Sequence, residues 1–247
     1  MGLRITSVVV WLLIGLIVLA WLPMMAALYV VTVPFDPGRY AVGRWYRVAA
    51  MLCAKVNPLW HFRATGPKLA DPRRPYVVVS NHESFADILL ISHLPWEMKW
   101  LSKRSLFRIP VMGWEMRMAG DIEVHRGDLE SRSGAVQGIR DRLARRVSVM
   151  IFPEGTRSHT GDLLPFRNGA FKVAVDTGTP ILPLALAGTS GALAKGSFLM
   201  GRARAEVRVL EAIETAGLRS SDVPALRDRV RAAIDEARKE IRRELER

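Results

Sequence analysis

The sequence predicts an α/β fold: a mixed central sheet covered by helices, preceded by an N-terminal membrane helix or helical hairpin. Three observations predict it. Between residues 75 and 213, short β-branched runs alternate with helically spaced segments, the order that builds a sheet with helices on its faces. No charged residue occurs from Ile5 to Phe35. The rest is basic: 36 Lys and Arg against 24 Asp and Glu give +12, and residues 36–146 alone hold 19 basic and 11 acidic residues. A surplus of that size points to an anionic partner, whether nucleic acid, an acidic membrane surface or a phosphorylated substrate.

A chain of 247 residues is long enough for one sizeable core and too short for two full domains with a linker. Apolar residues at 49% exclude a disordered chain, and the single Cys53 excludes an internal disulfide framework and a Cys-based zinc site. The composition divides the chain into a membrane-associated helical region, 1–57, and a body, 58–247, ending in an amphipathic helix.

Ile5 to Val33 exceeds the length of about 20 apolar residues that a helix needs to cross the hydrocarbon core. Pro23 divides it, so 5–22 is the strongest helical part and 24–33 is expected to kink or turn back. The stretch is longer than a signal-peptide core and lacks its small-x-small cleavage site, so it is read as retained. Arg39, Arg44 and Arg47 follow it and only Arg4 precedes it, which places the body in the cytoplasm. Residues 39–56 mix Trp45, Tyr46 and arginines at roughly helical spacing. That suits a helix lying in the membrane interface or one packed on the body.

Pro75–Ser80 is a buried strand, and Phe85–Leu94 a helix with apolar residues at Ile88, Leu89 and Ile91. Lys99–Ser102 is a short strand, Leu106–Met118 a helix despite Pro110 and Gly113, and Asp121–His125 a half-buried strand. Residues 132–146 form an Arg-rich helix, and Val147–Phe152, Pro180–Ala187 and Ala205–Ile213 three further strands. Ser221–Asp222–Val223–Pro224 starts a last helix with Leu226, Val230, Ile234, Ala237 and Ile241 on one face.

Four short blocks carry the chemistry. Asn81–His82–Glu83–Ser84–Phe85–Ala86–Asp87 follows the first strand. On one continuous helix His82 and Asp87 would stand about 140° apart. They meet only if His82 ends the strand and Asp87 lies in the first helical turn. A carboxylate on one imidazole nitrogen makes the other a general base. Ser84 and Asp87 equally fit a helix capping box, which would leave His82 a plain turn residue. The second block, Gly120–Arg126, offers Arg126 at a strand end. The third, Phe152–Pro153–Glu154–Gly155–Thr156–Arg157–Ser158, joins a forced turn to a hydroxyl and a planar cation able to grip phosphate. The fourth, Thr179–Pro180–Ile181–Leu182–Pro183–Leu184, taken alone, reads as an edge strand, because proline cannot donate to a ladder.

In this order the four blocks resemble the glycerolipid acyltransferases, and among them the bacterial 1-acyl-sn-glycerol-3-phosphate (lysophosphatidic acid) acyltransferases, over about residues 60–215. The first has the family's N-H-x-S-x-x-D form, with Glu83 and Phe85 where Gln and Trp are frequent, and the third matches in full. The second keeps only Gly120, Ile122 and Arg126: Glu123 stands where an aromatic is usual and His125 where an acid is. The resemblance implies that 58–247 is a catalytic domain making phosphatidic acid in phospholipid biosynthesis. It implies His82 as the base that deprotonates the sn-2 hydroxyl of a lysophospholipid and Asp87 as its orienting partner. It implies Glu154, Gly155, Thr156 and Arg157 as the glycerol-phosphate site, with Arg126 and Lys103 as further phosphate contacts. No cofactor or metal is implied beyond an acyl-CoA or acyl carrier protein thioester as co-substrate. The partners implied are membrane lipids, the lysophospholipid acceptor and that donor, with no nucleic acid.

Close siblings acylating glycerol-3-phosphate or another lysolipid share these blocks, and a non-catalytic basic membrane-binding protein would leave them unexplained. Other chemistries fit less well. His82–Glu83 begins the zinc motif H-E-x-x-H, but position 86 is Ala86. Gly188–Thr189–Ser190–Gly191 approaches a nucleophile elbow but lacks its final glycine. No recognisable module accompanies the basic residues to make a nucleic-acid reader.

Overall fold

The computed structural model describes every residue except 1, 126–127, 159–161 and 195. Its elements, in chain order, are α1 (Gly2–Thr32), α2 (Tyr40–Lys55), β1 (Trp60–Thr65), β2 (Val77–Ser80), α3 (Ala86–Ile91), β3 (Met98–Lys103), α4 (Arg104–Phe107), α5 (Met112–Ala119) and β4 (Ile122–Val124). There follow α6 (Leu129–Ala144), β5 (Ser148–Ile151), α7 (Gly169–Thr177), β6 (Ile181–Ala187), β7 (Ala203–Val209), a 3-10 turn (Ser220–Asp222) and α8 (Val223–Leu245).

The strands form one mixed sheet in the order β1–β7–β6–β2–β5–β3–β4. The run from β6 to β4 is parallel; β7 is antiparallel to β6, and β1 parallel to β7. The carboxyl ends of the parallel strands therefore share one edge, where ligands of such sheets bind. Strands β2, β5 and β6 are buried at every position, as expected of parallel strands covered on both faces. Val77, Val79, Val149, Ile151 and Ile181 pack against Phe171 of α7 and Val230, Ile234 and Ile241 of α8. Val78, Met150, Leu182 and Leu184 pack oppositely, against Leu90 and Ile91 of α3.

Strand β6 corrects the edge reading of the fourth block. It is interior, paired with β2 and β7. Pro183 is tolerated because its ladder with β7 is ending there: its carbonyl accepts from Leu210 N–H at 3.0 Å, one residue beyond β7. Two other expectations also change. Pro110 splits the single helix expected over 106–118 into α4 and α5. Pro23 neither ends nor reverses α1, which is helical throughout. The Trp21 indole N–H donates to Trp45 O at 3.0 Å and Met25 is buried with Val42 and Ala119, so packing holds the axis on both sides of the proline.

Helix α2 packs on the body beneath α1, not alone in an interface. Its Arg47 is no surface cation: it is buried, ion-paired to Asp121 and 3.6 Å from Glu97. Lys99, fully buried, lies 2.9 Å from Glu97 and donates to Arg39 O at 2.7 Å. Burial pulls the Lys99 ammonium below its usual range and pushes Glu97 above its own. Gly43 faces this pair, and a Cβ there would stand 2.1 Å from a Glu97 oxygen. Removing one partner of a buried pair costs about 3–5 kcal/mol, so the network ties α2 firmly to β3 and β4.

Candidate active site

Strand β2 delivers His82 to the shared edge. Asn81 fixes the exit: its side-chain amide donates to Leu186 O at 2.9 Å and accepts from Leu186 N–H at 3.0 Å, one more rung between β2 and β6. His82 Nδ1 lies 2.7 Å from Asp87 Oδ2. The same oxygen accepts from Glu83 N–H at 2.7 Å and Ser84 N–H at 3.0 Å. The capping and dyad readings are thus one arrangement, since a single carboxylate caps the turn and holds the imidazole. With Nδ1–H given to Asp87, Nε2 carries the lone pair and has no hydrogen-bond partner among the described residues. The ring stacks on Phe152, centroids 3.9 Å apart and 10° from parallel.

The turn after β5 grips the main chain of His82. Glu154 Oε1 accepts from His82 N–H at 2.7 Å and Oε2 from Leu164 N–H at 3.0 Å, while Ser158 N–H donates to His82 O at 2.9 Å. Glu154 is buried, and that burial pushes its carboxyl up to about 7 against the pull of those two N–H donors. Its geometry is that of a positioning residue. Gly155 has φ +72°, and a Cβ there would stand 3.0 Å from the Arg167 guanidinium. Thr156 is exposed and Arg157 half-buried, and the Arg157 guanidinium has no hydrogen bond or ion pair with a described residue. Lys103 is exposed at the end of β3, in register with Val124. Arg126 lies outside the described residues. Glu123 is ion-paired with Arg104 at 3.2 Å.

Two further contacts bear on the site. The Thr189 hydroxyl, fully buried, donates to Asp87 Oδ1. Gly188 permits this with φ +94°, where a Cβ would stand 2.1 Å from Arg204 O. The segment resembling a nucleophile elbow thus supplies Asp87 with a donor. Glu83, also buried, is ion-paired at 2.9 Å to Arg242 of α8, and burial raises its carboxyl above its ordinary value. Thr189→Val leaves one Asp87 oxygen without that donor, at about 1–3 kcal/mol, and is expected to slow turnover roughly tenfold with little change in KM. Steady-state kinetics of the variant check this.

Beside the loop lies a narrow apolar cavity of about 120 Å³, lined by Phe85, Leu89, Trp11, Ile14, Trp60 and Trp100 among others. Among the described residues, no group of three or more His, Cys, Asp or Glu side chains could hold a metal ion.

The site thus combines a strand-end imidazole, a buried carboxylate that buttresses it and a Gly-Thr-Arg turn at the carboxyl edge of the sheet. The chain belongs to the Acyltransferase family, whose profile matches residues 61–187, just over half of it. Among its relatives, the 1-acyl-sn-glycerol-3-phosphate acyltransferase alpha of Homo sapiens is 39% identical over 167 residues, covering 66% of this chain and 58% of that one. A chloroplastic 1-acyl-sn-glycerol-3-phosphate acyltransferase of Arabidopsis thaliana is 37% identical over 166 residues, 66% of this chain and 46% of that one. The chain thus spans about half the length of these relatives. The crystal structure of the 1-acyl-sn-glycerophosphate (LPA) acyltransferase PlsC of Thermotoga maritima shares the fold, with a TM-score of 0.74 over 97% of this chain and 98% of that one, at 22% identity.

Proposed function

We propose that the protein moves a fatty acyl group from an acyl-CoA or acyl carrier protein thioester to the sn-2 hydroxyl of 1-acyl-glycerol-3-phosphate, making phosphatidic acid. The observation that carries this reading is the 2.7 Å His82–Asp87 contact, locked by Glu154 to the Phe152–Ser158 turn. The names of the relatives supply the acceptor.

In this reading His82 Nε2 takes the proton of the acceptor hydroxyl as that oxygen attacks the thioester carbon. Asp87 stabilises the imidazolium that forms. The tetrahedral oxyanion collapses, the carbon–sulfur bond breaks, and the leaving thiolate takes the proton from Nε2. The products are an ester and a free thiol, with His82 restored. No covalent acyl-enzyme is needed, because the two substrates react directly. Arg157 grips the acceptor phosphate as a planar fork, with Arg126 and Lys103 adding charge. The apolar cavity takes hydrocarbon chain. Helix α1, long and apolar enough to cross a membrane, keeps the site beside its lipid substrates, with the body on the cytoplasmic side of the inner membrane.

Purified protein is offered acyl-CoA or acyl carrier protein with lysophosphatidic acid, glycerol-3-phosphate, other lysophospholipids and a monoacylglycerol, and products are read by mass. Phosphatidic acid as the dominant product supports the reading; preference for the uncharged monoacylglycerol contradicts it. Arg157→Ala is expected to raise the KM for lysophosphatidic acid by about 10- to 100-fold, the worth of a charge-assisted hydrogen bond, with a smaller effect on kcat. An unchanged KM removes Arg157 from the phosphate site.

A further inference from the structure

The segment joining β6 to β7 carries two large apolar side chains into the open, Phe198 at 78% exposure and Leu199 at 51%. Their flanks are anchored. Met200 is 1% exposed; its N–H donates to Ser7 Oγ of α1 at 2.9 Å, and its sulfur accepts from the Asn57 amide at 3.2 Å. Leu193 is buried and bridged to Met200. Leu199 N–H is held by Ser197 Oγ at 3.0 Å. A fixed base therefore holds the tip outward, and water gains contact with two side chains whose burial would be worth about 1.5–3 kcal/mol each.

The tip joins one other element. The Trp11 indole N–H of α1 donates to Phe198 O at 2.8 Å, and the two rings meet edge-on with centroids 6.4 Å apart. Val8, Val9, Leu12 and Leu16 of α1 are exposed in the same helical turns. Phe198 and Leu199 thus extend the uncovered apolar face of α1, and one continuous patch of that kind marks a contact surface. Exposed Arg4 and Arg202 bracket it, without a hydrogen bond or ion pair to a described residue. Apolar tips flanked by cations fit an anionic phospholipid leaflet.

We propose that the 196–200 loop is a second membrane anchor, inserting Phe198 and Leu199 into the same leaflet as α1. The proposal rests on the membrane reading of α1 and sharpens it. Helix α1 is bound to the body at Ser7 and Trp11 and again at Trp21 and Met25. Ser7 and Met25 are about 27 Å apart along the helix, close to the full hydrocarbon thickness of about 30 Å. The bonds at Ser7 and Trp11 place the 196–200 loop beside the first turns of α1.

The test uses the full chain with Cys53→Ala and a single new cysteine, Leu199→Cys, Leu16→Cys on α1 or Ser221→Cys in the 3-10 turn before α8, each labelled with an environment-sensitive fluorophore. Vesicles of phosphatidylcholine and phosphatidylglycerol carry a quencher on the lipid acyl chain. The expected result is a blue shift and several-fold quenching at positions 16 and 199 alike, with none at 221. Quenching at 16 without quenching at 199 overturns the loop anchor and leaves the α1 reading intact. Quenching at neither overturns both.

Discussion

Replacing His82 by alanine is expected to lower acyl transfer by about 10²–10⁴-fold, the usual contribution of a positioned base. The fold should survive. His82 is a loop residue at the sheet edge, and Asp87 keeps Glu83 N–H, Ser84 N–H and the Thr189 hydroxyl when the imidazole is gone. The buried carboxylate is therefore not left without donors, and a melting temperature within a few degrees of wild type is expected. Asp87→Asn is a less clean probe, because the amide presents one acceptor where the carboxylate serves four donors. Initial rates with vesicle-borne acceptor, together with a thermal melt, separate lost chemistry from lost structure. Wild-type rates in His82→Ala would remove His82 as the base.

Glu154→Gln is the second large effect, and it tests positioning. A glutamine has one carbonyl oxygen to offer where the carboxylate receives both His82 N–H and Leu164 N–H. One buried N–H must then face an NH₂ group, at about 1–3 kcal/mol, or roughly 5- to 150-fold if felt in the transition state. The pH dependence supplies a second readout. In the folded protein this carboxyl titrates near 7, against 4.5 ordinarily. Between those values the folded state binds more protons than the unfolded state, so this group's contribution to stability falls as pH rises. Glutamine has no such titration. The stability deficit of Glu154→Gln should therefore be largest near pH 5 and narrow toward pH 8, as followed by denaturant unfolding. A deficit that widens with pH contradicts the assignment.

What local sequence conveys, and what it does not, follows from the range of each interaction. Val77–Val78–Val79 and the run from Ser148 to Ile151 are legible because strands buried on both faces must be continuously apolar. The His82–Asp87 pair is legible because both residues lie on one strand–turn–helix. Thr189 stands 102 residues from Asp87 and Arg242 159 residues from Glu83, so no local spacing announces either contact. Asn81 looks like part of the chemistry and instead bridges β2 to β6. Strand β1 escapes notice because Trp60–Thr65 is a half-exposed edge with Arg63 facing out. Helix α7, at 9 residues, is too short to establish a period. The charge count also misleads at Arg47 and Lys99, which serve a buried network and not a membrane surface.

The most direct test of His82 as the base of acyl transfer is an isotope-labelled reaction. Wild type and His82→Ala, each in phospholipid vesicles, receive 1-acyl-glycerol-3-phosphate and an acyl-CoA labelled in its acyl group, and products are mapped by mass and by position of the label. Wild type is expected to give phosphatidic acid labelled at sn-2 and an equal amount of free thiol, and His82→Ala to lose both. Labelled phosphatidic acid formed equally by the two proteins, or by neither, would contradict His82 as the base of acyl transfer.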